Sequence, residues 1–227
     1  MDVTTGQSGP KRRTPRGTLS RDGIVAAAVG LLSDVGLDGL TMRSVAAALR
    51  VNAMSLYRHF RDKDELLLAI LDHLTAQVEF PPAGTPPVED VKEVLRRYYR
   101  LLISYPGLHL LDPGNVPTPG QLRINEHLYS VLIESGMDPR QAVSLLAAIE
   151  RFLLGCALRY PGRVGWDHNA TYWSGVRQWI SALPEERYPT LRQVGSAMDG
   201  EVQTQEEIVE DGLAVLLAPL EALVSAT

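Results

Sequence analysis

The sequence predicts an all-α fold: a small three-helix unit at the N-terminus followed by a larger helical domain. Three observations carry this expectation. Nearly every stretch between glycine and proline breaks repeats its apolar residues at helical spacing. Strand-type alternation of Val, Ile and Thr is not sustained in any segment. Of the 227 residues, 45% are hydrophobic and 22% charged, enough apolar surface to bury a core and offset a chain entropy of about 1–2 kcal/mol per residue.

Each element follows from local signals. Ser20 is the expected N-cap of a first helix in which Ile24, Val25, Ala28, Leu31, Leu32 and Val35 share a side, and Gly36 ends it. Thr41 caps a second helix with Val45, Ala46 and Leu49 inward. After Arg50-Val51-Asn52 a third, short helix is expected from Ala53 to about His59, with Leu56 and Phe60 turned to the core. Asp62 and Glu65 have the spacing of a capping box and open a longer helix through Leu66, Leu67, Ile70, Leu71 and Leu74. Residues 80–87, with four prolines and a glycine, cannot continue a helix and read as a linker. Further helices are expected at 88–104, 119–135, 139–160, 170–182 and 204–223, the third opening on Asp138-Pro139 as N-cap and first-turn proline.

Composition narrows the classes of protein. No uncharged apolar run reaches the ~18–20 residues of a membrane span, and the polar first 18 residues lack the apolar segment of a signal peptide. A single cysteine, Cys156, rules out an intrachain disulfide framework and a Cys-rich zinc site; it reads as a small core residue in a protein of the reducing cytoplasm. No metal or cofactor is expected. The GxGxxG, P-loop, HExxH and GxSxG signatures of enzymes are missing, and the five histidines (59, 73, 109, 127 and 168) lack metal-ligand spacing, so an enzyme is not expected.

The net charge of −5 is an average over unlike parts. Residues 1–63 hold ten Lys/Arg against five acids, a net of +5, which leaves −10 for the rest. That asymmetry suits a basic module that meets nucleic acid, joined to an acidic partner module. Within the basic part, residues 41–63 (TMRSVAAALRVNAMSLYRHFRDK) form two short helices joined by a three-residue turn. The second would present Ala53, Met54, Ser55, Arg58 and His59 outward, small enough for the major groove and long enough to reach base edges or phosphates. Spacing alone fits a helix-turn-helix and a helical hairpin with a solvated basic face equally well.

A resemblance separates them. Thr41-x-Arg43-x-Val45-Ala46-x-x-Leu49-x-Val51, then Leu56-Tyr57-x-His59-Phe60 and Lys63-x-Glu65-Leu66, resembles the DNA-binding domain of the TetR family of bacterial one-component repressors over about residues 20–70. Tyr105-Pro106-Gly107-Leu108, the helix ending at 126–136 and Glu186-Arg187-Tyr188-Pro189 are similar, more loosely, to the ligand-binding domain of the branch that includes the tetracycline repressor. The resemblance implies that Tyr57 and His59 contact phosphates or bases, that Lys63 opens its helix on the DNA backbone, and that Arg43 reaches guanine. Ala53, Met54, Ser55 and Arg58 would set sequence preference. Thr41 would cap its helix and meet a phosphate. Plain structural roles stand beside these: Tyr57 packed on the first helix, Thr41 only a cap. One departure is Arg50, where the family commonly has glycine; a left-handed residue there would cost about 1–2 kcal/mol.

The resulting domain reading is a disordered basic arm at 1–19 carrying Lys11, Arg12, Arg13 and Arg16, a helix-turn-helix domain at 20–66, and a helical ligand-binding and dimerisation domain at 67–227. A reader this small needs two copies on a pseudo-palindrome. Segments 142–158 and 206–224 are the dimerisation candidates, the resembling family pairing the corresponding helices into an intersubunit four-helix bundle; either apolar face could instead close the chain's own core. Tyr98, Leu102, Tyr105, His109, His127, Phe152 and Trp173, with Trp166 and Trp179, are candidate lining for a small-molecule pocket. The family implies a repressor dimer released from its operator when an inducer shifts the helix after Lys63. The alternative is a DNA-binding regulator with no small-molecule switch.

Overall fold

The structure is a computed structural model that describes residues 19–105, 107, 117–159, 170–197 and 204–226. Ten helices are described, and no strand among the described residues: α1 (Arg21–Gly39), α2 (Met42–Ala48), α3 (Ala53–Leu56), α4 (Lys63–Thr75), α5 (Pro87–Ser104), α6 (Pro119–Glu134), α7 (Pro139–Leu158), α8 (Ala170–Ser181), α9 (Pro189–Ala197) and α10 (Gln205–Ser225). The expected basic arm lies outside the described residues.

The caps are those that the local sequence demands. Ser20, Thr41, Asp62 and Asp138 each accept backbone N–H groups from the first turn that follows, satisfying donors with no partner inside the helix. The regular α1 stops where glycine adopts φ 67°, ψ −177° at Gly36. Three local expectations change. Glu65 does not close a capping box on Asp62; its carboxylate reaches one residue further back, to the Arg61 N–H at 2.7 Å. The third helix ends at Leu56, whose carbonyl takes N–H groups from both His59 (2.9 Å) and Phe60 (3.0 Å), tightening the chain into a turn. A helix absent from the sequence reading, α9, packs on α8 with Ile180 against Gly195.

Packing makes two cores. The first joins α1 to α4 around Ile24, Leu32, Val45, Leu56, Phe60, Leu66 and Ile70. The second runs from Val78 to Leu220 and is built by α5, α6, α7 and α10. Leu74 still belongs to the first core, so the division falls at residues 75–77, at the C-terminal end of α4. By length and composition α7 could cross a membrane, but its Ala142, Leu146, Ile149, Leu153 and Ala157 are core residues here. Phe152 lies so close to Gly212 that an added Cβ would stand 2.0 Å from its ring, which draws α7 and α10 together. Arg96 ties α5 to α10 by a two-pronged bond to Glu210, Nε and Nη2 each 2.7 Å from a carboxylate oxygen, and also holds Glu89 at 2.6 Å.

Candidate nucleic-acid interface and ligand cavity

The turn between α2 and α3 closes by two bonds, Val51 N–H to the Ala46 carbonyl and Arg50 N–H to the Ala47 carbonyl, both 3.0 Å. This is the helix-ending motif that wants a left-handed residue after the C-cap, and Arg50 supplies it at φ 55°. The same pair of bonds ends α6, from Met137 and Gly136, with a glycine at φ 88°. Arg50 therefore carries strain that Gly136 does not.

The turn sets α3 across α2 with Leu56 and Phe60 buried beneath it. The residues singled out from sequence divide between exposed and half-buried. Thr41, Arg43, Met54, Tyr57 and Arg58 are exposed, Met54 at 69% and Tyr57 at 47%, while Ala53, Ser55, His59 and Lys63 are half-buried. At that exposure Tyr57 is not a core residue. Thr41 forms a capping box with Ser44. Lys63 leans its Nζ toward the Leu37 carbonyl at 3.5 Å. Among the described residues, Arg43, Arg50 and Arg58 have no carboxylate partner, so the face presents uncompensated positive charge.

Arg21 escaped the sequence reading as anything but a charge. It donates to the His59 carbonyl (2.6 Å) and to Glu65 (2.8 Å), and its guanidinium stacks over Phe60 at 4.2 Å. One side chain of α1 thereby anchors the turn after α3 against α4. The carboxyl of Glu65 is held below its usual range by the Arg61 N–H first and the Arg21 hydrogen bond next.

The second candidate site is a cavity of about 170 Å³ walled by three helices. From α5 come Leu95 and Tyr98; from α6, Gln121, Ile124, Asn125, Leu128 and Tyr129; from α7, Val143, Leu146, Ala147, Glu150 and Leu153. The i, i+3, i+4, i+7 spacing on α6 and α7 is what turns one stripe of each helix to a common space. Burial first, and the nearby Glu150 carboxylate second, push the Tyr98 hydroxyl up to about 12.

Of the described residues expected from sequence to line a pocket, Tyr98 lines this cavity. Leu102 is a core residue at 3% exposure, and Phe152 packs against Gly212. Tyr105 borders a separate groove between the end of α4 and α5. His127 bonds Asp90 at 2.6 Å and stacks on Phe80 at 4.1 Å, a structural use of the ring. Trp179 is 65% exposed on α8. His109 and Trp166 lie outside the described residues, as does the side chain of Trp173. Gln121, Asn125, Tyr129 and Glu150 were not singled out, because polar residues on helices normally read as solvent-facing.

The far side of α6 holds the end of α4. The Gly120 N–H donates to Asp72 at 2.7 Å, and Arg123 donates to the carbonyls of Ala76 (3.0 Å) and Val78 while stacking over Phe80 at 4.3 Å. These carbonyls follow the last turn of α4 and would otherwise lack partners.

A helix-turn-helix unit whose last helix is gripped by a helix that walls a cavity defines a ligand-responsive DNA-binding regulator. The chain matches the family model for bacterial regulatory proteins of the tetR family over residues 24–70, and the model for the tetracyclin repressor-like C-terminal domain over residues 81–224. It belongs to the TetR family. The class D tetracycline repressor protein of Escherichia coli is 27% identical over 209 residues, covering 91% of this chain and 88% of that protein. Apo ActR from Streptomyces coelicolor superposes with a TM-score of 0.75 at 27% identity, covering 92% of this chain and 98% of that one. ActR has also been solved with actinorhodin, at TM-score 0.74, 27% identity and coverage of 90% and 96%.

Proposed function

We propose that the protein is a repressor that binds a pseudo-palindromic operator as a homodimer and is released by a small molecule bound in the cavity between α5, α6 and α7. The observation that carries this reading is the double duty of α6. One stripe of it lines the cavity, and Gly120 and Arg123 hold α4, which shares the core of the helix-turn-helix unit. A ligand that shifts α6 must drag α4, and with it the spacing of two α3 helices in a dimer.

In this reading Arg43, Ala53, Met54, Ser55 and Arg58 meet bases, Thr41, Tyr57, His59 and Lys63 meet the backbone, and the basic run at 11–16 adds phosphate contacts. The functional division follows the packing, with α4 as the connector and the larger domain beyond it. Dimerisation uses the outer faces of α7 and α10. Their inner residues close the chain's own core, and the outward Leu158, Val215 and Val224 remain exposed. Such a regulator works on chromosomal DNA in the cytoplasm and needs neither catalytic turnover nor a cofactor.

A hundredfold loss of operator affinity needs a ligand that favours the released form by about 2.7 kcal/mol, within the ordinary range of allosteric coupling. The test is a footprint on the DNA upstream of the protein's own gene, with and without small-molecule extracts of the cell. Protection of two half-sites about one helical turn apart, or a multiple of it, that an extract removes is the expected result. No specific protection would refute the DNA-binding half, and protection that no extract alters would refute the switch.

A further inference from the structure

The cavity has a charge as well as a shape. Its walls are mainly apolar, its neutral hydrogen-bonding groups are Gln121, Asn125 and two tyrosine hydroxyls, and Glu150 brings a carboxylate. No Lys, Arg or His is among the described residues that line it. Arg151, next along α7, is exposed and turned back on the Ala147 carbonyl at 2.7 Å. Arg123, on α6, is occupied with the end of α4.

We propose that this cavity selects a predominantly apolar organic cation, such as an aromatic ring system carrying a protonated amine, with Glu150 as the counter-charge at its mouth. Glu150 is exposed, so it meets the charged end of a ligand near solvent while the apolar body enters between Leu95, Leu128 and Leu146. The amine keeps part of its hydration, which avoids the cost of burying an isolated charge. The tyrosine rings add faces on which a cation rests favourably. An anionic ligand would lose water on entry, meet no described cation and face the Glu150 carboxylate. The field of that carboxylate already reaches the Tyr98 hydroxyl, the same field an entering ligand would meet. The inference rests on the cavity being the effector site proposed above.

The test uses the full-length protein and three tricyclic probes of similar size at neutral pH: proflavine as cation, acridone as neutral molecule and acridone-4-carboxylate as anion, each followed by fluorescence anisotropy. Proflavine is expected to bind about tenfold more tightly than acridone, with the carboxylate weakest, a modest ratio because Glu150 is screened by solvent. Glu150→Gln should abolish the cation preference and leave acridone affinity within about twofold. Ala147→Phe, which fills the cavity, should exclude all three probes. Val143→Trp, at a wall position that is 55% exposed, provides a second block that the fold tolerates more easily. Proflavine binding no tighter than acridone, or a preference that survives Glu150→Gln, would overturn the charge assignment while leaving the effector site intact. Probes that bind both blocked variants as well as wild type, or that do not bind wild type, would overturn the effector site and this inference with it.

Discussion

Replacing Gly120 by alanine tests the junction between the cavity helix and the DNA-binding unit most directly. A Cβ built there stands 2.3 Å from Thr75 Oγ1, 2.8 Å from the Ala76 nitrogen and 2.9 Å from the Asp72 carbonyl oxygen. The last two are backbone atoms of the final turn of α4, joined by their own 2.9 Å hydrogen bond, and Thr75 is fully buried with its hydroxyl bonded to the Leu71 carbonyl at 2.7 Å. No flexible side chain can give way. Helices α4 and α6 must separate by roughly half an ångström to one ångström, stretching the Gly120–Asp72 bond. Overpacking of this kind costs about 1–3 kcal/mol, or a fall in Tm of roughly 2–10 °C for a chain of this size. Denaturant unfolding gives the stability, and anisotropy on operator DNA gives the affinity of the ligand-free protein, expected to change because α4 has moved. Gly30→Ala is the control: exposed within α1, its new methyl meets nothing within 4 Å and should stabilise by about 0.5–1 kcal/mol. A Gly120→Ala protein as stable as wild type, with unchanged operator affinity, would refute the argument from close approach.

Other outcomes follow from the same geometry. Arg50→Gly should relieve the left-handed strain of about 1–2 kcal/mol while adding unfolded-chain entropy, for a net gain of roughly 0.5–1 kcal/mol in a denaturation curve; a fall in operator affinity alongside it would show that Arg50 also meets a phosphate. Tyr57→Phe should leave stability within about 0.5 kcal/mol and weaken operator binding by roughly fivefold, measured by anisotropy, because the exposed hydroxyl has no core role. Arg96→Met should cost about 1 kcal/mol at neutral pH, since its partner Glu210 is itself 43% exposed. The Arg96 hydrogen bond, opposed by partial burial, holds the Glu210 carboxyl below its ordinary 4.5. A depressed carboxyl stabilises the fold above the unfolded value and loses that contribution as pH falls through the folded one. The gap between wild type and variant, followed by melting at a series of pH values, should therefore be full well above the ordinary 4.5 and shrink as the pH falls below it.

The readable part of this protein is the part governed by near neighbours. Ser20, Thr41 and Asp138 announce their helices because a cap bonds to the two or three residues that follow it. The two short helices and their turn were legible for the same reason, with Leu56 and Phe60 buried only a few residues away, while the resemblance carried by residues 41–66 was needed to read them as a helix-turn-helix. The Arg50 departure could be noted in advance from the resemblance, and the structure supplies its left-handed angle, φ 55°. The α9 helix was missed because its nine residues, PTLRQVGSA, carry no long apolar stripe.

The pocket was less legible. Aromatic residues were the natural candidates, yet His127 is taken by Asp90, 37 positions earlier, and Phe152 by Gly212, 60 positions later. Glu150 and Asn125 are exposed and read as ordinary surface residues; only the packing of α5, α6 and α7 shows that they also border a shared space. Sequence by itself determined the helical class, the capped starts and the basic character of the N-terminal unit, all set by local pattern or by composition rather than by distant packing. Only the tertiary structure decided which stripe of α6 faces a cavity and which grips α4, because that depends on the partners of Gly120 and Arg123 some 45 to 48 residues away. A helical period places side chains on a common face, but packing against distant helices decides what that face meets.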